Sequence, residues 1–145
     1  MIALASDHAG LPLKEALKAH LESCAVAFED FGTDSAKSCD YTDFALKACS
    51  AVTTGWCKKA ILLCGTGVGM SMAANKMRGI RAAVASDCYS VKYTRLHNDA
   101  NVLCLGSRVV GAGLACELVD VFLDTDFEGG RHTARVEAVM KIHDL

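Results

Sequence analysis

The chain has 145 residues, 52% of them hydrophobic and 22% charged, with a single proline and a formal net charge of −2. That length and composition predict one compact domain over residues 1–145 and exclude a disordered chain. The charge speaks against nucleic acid or an anionic membrane as partner, since either wants a basic face, and no apolar stretch approaches the roughly 20 residues of a membrane span.

The N-terminal run Met1–Asp7 has no basic flank and is too short for a signal peptide. Of the eight cysteines, Cys24, Cys49, Cys57, Cys64, Cys104 and Cys116 sit in apolar segments, and no CxxC motif or Cys/His pair has zinc spacing. Most therefore read as small core hydrophobes in a reducing, cytoplasmic setting.

In chain order, Ile2–Ala5 is a first strand, and Leu13, Leu17 and Leu21 form one stripe of a helix whose first turn holds Pro12. Val26–Phe28 reads as strand two, followed by a loop to Asp40 and a helix marked by Phe44, Ala45, Ala48 and Val52. Ala60–Cys64 is the clearest strand, apolar without alternation, as a parallel strand covered on both faces should be. A glycine-rich turn and a helix through Ala73, Ala74 and Met77 come next, then strand four at Ala82–Ala85 and a helix from about Asp87 to His97. Val102–Leu105 is strand five, Leu114, Leu118, Val121 and Phe122 mark another helix, and Val136–Ile142 is the last. This alternation predicts an α/β fold, a Rossmann-like three-layer sandwich around a five-stranded parallel sheet. Ligands of such sheets sit beyond the carboxyl ends of the strands.

The segment Cys64-Gly65-Thr66-Gly67-Val68-Gly69 leaves a strand end for a helix, and its alternate glycines can turn N–H groups inward around an anion. It lacks the GK[ST] ending of a P-loop and has GxGxG rather than GxGxxG spacing, which argues against a dinucleotide-binding domain. Cys64 beside those donors is placed to act as a thiolate, although a buried strand-end cysteine is the plain structural alternative. His97 and Asn98 lie in a polar run before strand five, where an imidazole can move protons near neutral pH. Asp7 and His8 follow strand one, and Asp40-Tyr41 enters helix two, with Asp40 a candidate N-cap. Arg131 and Arg135, four apart, can share a helix face and grip a phosphate, or simply form a solvated basic face.

Ser6–Gly10, Cys64 through Lys76 to Ala83, His97–Leu103, Gly106–Arg108 and Gly129–His132 with Arg135 stand in one order along nearly the whole chain. Together they resemble the type B ribose-5-phosphate isomerases of the ribose/galactose isomerase family, which also contains the galactose-6-phosphate isomerase subunits. The resemblance implies that Cys64 removes the C2 proton with the Thr66 hydroxyl beside it, and that His97 helps open the furanose ring. It implies that Asp7, His8 and Tyr41 meet the sugar, that Gly65, Gly67, Val68 and Gly69 surround the reacting oxygens, and that Asn98 and Arg108 add substrate contacts. It also implies that Arg131 and Arg135 grip phosphate at the site of a neighbouring subunit, hence a homodimer, with a tetramer as the larger alternative. No metal or organic cofactor is implied. Two departures stand out. Thr42 replaces the proline usual after the tyrosine, which predicts a looser turn, and Ser86–Tyr89 is a variable segment placed to shape the pocket. Isomerisation of a hexose 6-phosphate such as allose or galactose 6-phosphate, or a catalytically silent phosphosugar-binding module, are the alternatives.

Overall fold

The computed structural model describes residues 1–145. Five parallel strands, β1 (Ile2–Ser6), β2 (Phe28–Asp30), β3 (Lys59–Cys64), β4 (Ala82–Val84) and β5 (Val102–Gly106), form one sheet in the order β2-β1-β3-β5-β4. Around it run α1 (Leu11–Ser23), α2 (Tyr41–Thr53), α3 (Val68–Ala74), α4 (Cys88–Asn98), α5 (Ala112–Asp124) and α6 (Thr133–Lys141). The three-layer α/β architecture is the one the sequence predicts.

The central strands carry apolar side chains on both faces, and the faces differ. Leu4, Ile61, Leu63, Leu103 and Leu105 point to one side, where they bury the leucine stripe of α1 and Phe122 of α5. Ala3, Ala5, Leu62 and Cys104 point to the other, against Ala45, Ala48 and Cys49 of α2 and Met70 of α3. Each fully buried leucine stabilises by about 1.5–3 kcal/mol relative to exposure. The small side chains of the second face let α2 and α3 approach the sheet closely.

Several local devices fix the segments near the strand ends. Gly10 precedes α1 so close to β3 that a Cβ there would lie 2.5 Å from the Leu63 carbonyl oxygen. Lys14, only 1% exposed, donates to both Asp30 carboxylate oxygens at 2.9 and 2.8 Å and to the Thr33 carbonyl. That pair ties α1 to β2 and to the loop that follows β2. Burial opposes ionisation of Asp30, but the Lys14 and Gly32 hydrogen bonds prevail and hold its carboxyl below the usual range.

Some boundaries differ from expectation. β2 begins at Phe28 instead of ending there. α3 ends at Ala74, short of Met77, because the Asn75 side chain brackets Ala82, accepting its N–H at 2.8 Å and donating to its carbonyl at 2.9 Å. α6 starts at Thr133 rather than Val136. The turn into α2 is closed rather than loose, since Asp40 accepts the Thr42 N–H at 3.0 Å, a donor that proline would lack. Cys24 is exposed just beyond the last turn of α1, not a core residue. No helix is long and apolar enough to cross a membrane.

Candidate active site

Cys64 closes β3 and pairs in register with Gly106 at the end of β5. The chain leaving β5 is stapled to the loop leaving β3: Ser107 N–H donates to the Cys64 carbonyl at 2.8 Å and Arg108 N–H to Gly65 at 3.0 Å. Gly67 turns at φ +80°, and a Cβ there would stand 2.9 Å from the Leu105 carbonyl carbon, so both conformation and space require glycine. The turn aims the Gly67 N–H at Cys64 Sγ, 3.1 Å away. An amide donor on sulfur favours negative charge there.

The cleft around this sulfur has a volume of about 440 Å³. It lies between the loops after β1 and β3, where the strand order changes direction, the expected ligand position for such a sheet. Asp7, 5% exposed, is pinned by the Gly10 N–H at 3.0 Å. His8 Nδ1 accepts the Cys39 N–H at 3.2 Å. Because an amide can only donate, the proton of the neutral ring stands on Nε2. The Tyr41 ring lies against Gly69, where a Cβ would come within 2.6 Å of the ring. The Arg108 guanidinium covers Gly65, and Thr66 and Val68 stand at the exposed rim. Ala9 and Met72 also line the cleft, and nothing in their residue types signals it.

His97 and Asn98 do not join this cleft within one chain. They line a second hollow of about 620 Å³, with Arg135 and His132, and the two hollows share no lining residue. The reason is topological. Cys64 ends a strand, whereas His97 ends the helix that returns to the start of β5, so it stands at the amino edge of the sheet. The His97 ring stacks on His132 with centroids 4.1 Å apart and meets the edge of Tyr93 at 4.9 Å. Glu128 Oε2 lies 3.7 Å from His97 Nε2 and 4.0 Å from His132 Nε2, so these three could hold a metal ion. His132 is buried, its Nε2 has no partner, and burial together with the His97 and Arg131 charges lowers its pKa. Nothing in the sequence around His132 signals this stacking, which depends on how the chain after α5 returns to α4. Arg131 is exposed and lines neither hollow.

The rest of the polar run at 97–101 is structural. Asp99, in the left-handed region at φ 48°, accepts from Arg95 at 2.9 Å and Arg81 at 3.1 Å. Asn101 binds Arg81 N–H and the Gly79 carbonyl. Together they fix the end of α4 and so the His97 ring. Ser86–Tyr89 lines neither hollow, and Asp87 caps α4 by accepting the Ser90 N–H at 2.7 Å.

Comparison with known proteins decides the family. A model described as Ribose/Galactose Isomerase matches residues 2–139. The chain belongs to the ribose/galactose isomerase family. Among the curated family relatives, ribose-5-phosphate isomerase B of Escherichia coli is 50% identical over 97% of this chain and 95% of its own length. A solved ribose-5-phosphate isomerase B of Clostridium thermocellum superposes with a TM-score of 0.97 at 47% identity, covering 99% of this chain and 97% of that one. That of Mycoplasma genitalium, solved with ribulose-5-phosphate bound, gives 0.94 at 40% identity over 99% and 95%. The family match spans the Cys64 cleft and almost all of the second hollow, leaving out only Met140, Ile142 and His143. A thiolate sulfur here is equipped to take a proton, and the imidazole and guanidinium groups beside it to stabilise the negative charge left on the donor.

Proposed function

We propose that the chain is an aldose–ketose isomerase interconverting D-ribose 5-phosphate and D-ribulose 5-phosphate through an enediolate, with Cys64 as base. The observation that carries this reading is the Gly67 N–H donating to Cys64 Sγ inside a cleft bordered by Asp7, His8 and Arg108. The Cys64 thiolate takes the proton from C2 of the open-chain aldose, the C2–H electron pair becomes the C1–C2 double bond, and charge moves to the C1 oxygen. The His8 Nε2–H and loop amides are suited to stabilise that oxygen, with the Thr66 hydroxyl beside them. Transfer of the C2 hydroxyl proton to the C1 oxygen and return of the proton from Cys64 to C1 give the ketose, with the carbonyl now at C2.

The groups assigned to ring opening and phosphate binding lie outside the cleft of the same chain. In the proposed assembly, a homodimer, His97, Asn98 and Arg135 of the partner subunit complete each Cys64 cleft, with Arg131 adding charge at the phosphate. Phosphate held far from C2 positions the sugar and lowers the entropic part of the barrier. Eight free thiols fit a reducing, cytoplasmic setting.

Three measurements test this. Cys64→Ala should abolish solvent exchange of the C2 proton while still binding the sugar phosphate, and intact exchange would remove Cys64 from the role. Mixing Cys64→Ala with His97→Asn chains should restore about a quarter of wild-type activity, because half the closed pairs are hybrids with one intact site. No restoration would place both groups in one chain's site. Five- and six-carbon phosphates assayed side by side decide between pentose and hexose.

A further inference from the structure

Away from both hollows, α1 packs against α5 and brings three metal-binding side chains together at the amino end of the sheet. His20 and Cys24 stand four residues apart at the end of α1, and Cys116 and Asp120 four apart on α5, so each pair shares a face. His20 Nε2 lies 2.7 Å from Asp120 Oδ1 and 3.9 Å from Cys24 Sγ. The ligand atoms of these three residues all fall within 4.8 Å of one another. A single imidazole nitrogen therefore faces both a carboxylate oxygen and a sulfur.

Zinc held tetrahedrally at about 2.0 Å from nitrogen and oxygen and 2.3 Å from sulfur sets its ligands roughly 3.3–3.8 Å apart. The His20–Asp120 edge of 2.7 Å has to open by about 0.6 Å, and the His20–Cys24 edge of 3.9 Å to close slightly. Cys116, one turn before Asp120 on α5, is no part of this triangle. An ion pair between His20 and Asp120 needs neither thiol. The exposed Cys24 gains nothing from burial, and the half-exposed Asp120 carboxylate leaves an ion a way in.

We propose that His20, Cys24 and Asp120 bind one divalent cation of the zinc class and clamp α1 to α5. Binding removes the proton of the Cys24 thiol and leaves the imidazole proton on Nδ1, so one thiolate, a carboxylate and a neutral ring surround the ion, with water in the fourth position. Sulfur and imidazole together select zinc over magnesium or calcium. The usual zinc signatures lie close together along the chain, whereas His20 and Asp120 are 100 residues apart, each on its own helix.

Cobalt(II) titrated into the reduced full chain tests the proposal. One equivalent should give thiolate-to-cobalt charge-transfer absorption, and zinc should displace it. Cys24→Ser and His20→Gln, the latter still able to donate to Asp120, should each weaken binding by more than about a hundredfold, beyond the loss typical of an outer-shell partner. Cys39→Ala, which removes the other thiol close to an imidazole, at 3.8 Å from His8 Nδ1, should leave binding unchanged. Both ligand variants should unfold at the wild-type temperature in chelator, which separates lost binding from lost fold. Absorption that survives Cys24→Ser or vanishes in Cys39→Ala, or a wild-type chain that binds no cobalt, would overturn the proposal.

Discussion

Gly106→Ala tests the reaction geometry from a residue that does not itself line the cleft. The new Cβ would stand 2.7 Å from the carbonyl carbon and oxygen of Thr66 and 2.8 Å from its Cα. All three are backbone atoms, so no side-chain rotation relieves the contact. Reaching 3.4 Å, where van der Waals contact becomes ordinary, requires a retreat of about 0.7 Å. The next residue is Gly67, whose N–H holds Cys64 Sγ at 3.1 Å, and such a retreat takes this bond towards its limit. A hydrogen bond to a charged group contributes about 1.5–3 kcal/mol, so its loss at the transition state should lower kcat about 10- to 100-fold. Overpacking should also cost about 1–3 kcal/mol of stability. Gly111→Ala is the control, with φ −75° and open space around the new methyl. Ketose formation and C2 proton exchange measure the rate, and denaturant unfolding measures the stability. A Gly106→Ala protein as fast as Gly111→Ala would refute the link between loop position and catalysis.

Asp30→Ala strips the buried Lys14 of its carboxylate and should cost about 3–5 kcal/mol in urea unfolding; a loss well under that would show the site to be wetter than its burial suggests. Because the folded Asp30 pKa is depressed, its contribution is present above pH about 3.9 and is lost as pH falls through the folded value, so Asp30→Asn should flatten the acid limb of stability against pH. Burial pushes the Cys49 thiol up to about 12 and the Cys104 thiol well above its usual range. Brief iodoacetamide treatment at neutral pH should therefore modify Cys24 and spare both, and peptide mass spectrometry finding label on Cys49 or Cys104 in folded protein would contradict the packing.

Much of the fold was readable because each central strand is an unbroken apolar run and each helix keeps a 3.6-residue stripe. Ala60–Cys64 and Leu13, Leu17 and Leu21 announce themselves in this way. The Cys64 loop was readable too, since only glycine tolerates the turn at residue 67. What failed depended on distances between residues far apart in the chain. The Lys14–Asp30 pair, the stacking of His132 on His97 and the separation of His97 from Cys64 are set by how helices return across the sheet. Asp87 and Asp99 had residue types suited to a pocket, yet their oxygens serve helix ends. Thr42 misled in the opposite direction, because the loss of proline supplies the amide that closes the cap.

No residue of α6 is buried, while every residue of β3 but the first is. These two elements therefore differ greatly in how readily they open. Amides of β3 should exchange with deuterium only when the whole molecule unfolds, and those of α6 by local fraying. The sulfur is thus mounted on a strand buried from its second residue onward, and Arg135 on a helix with no buried residue. Whatever covers the exposed Val139 and Ile142 must also set the stiffness with which that guanidinium is presented.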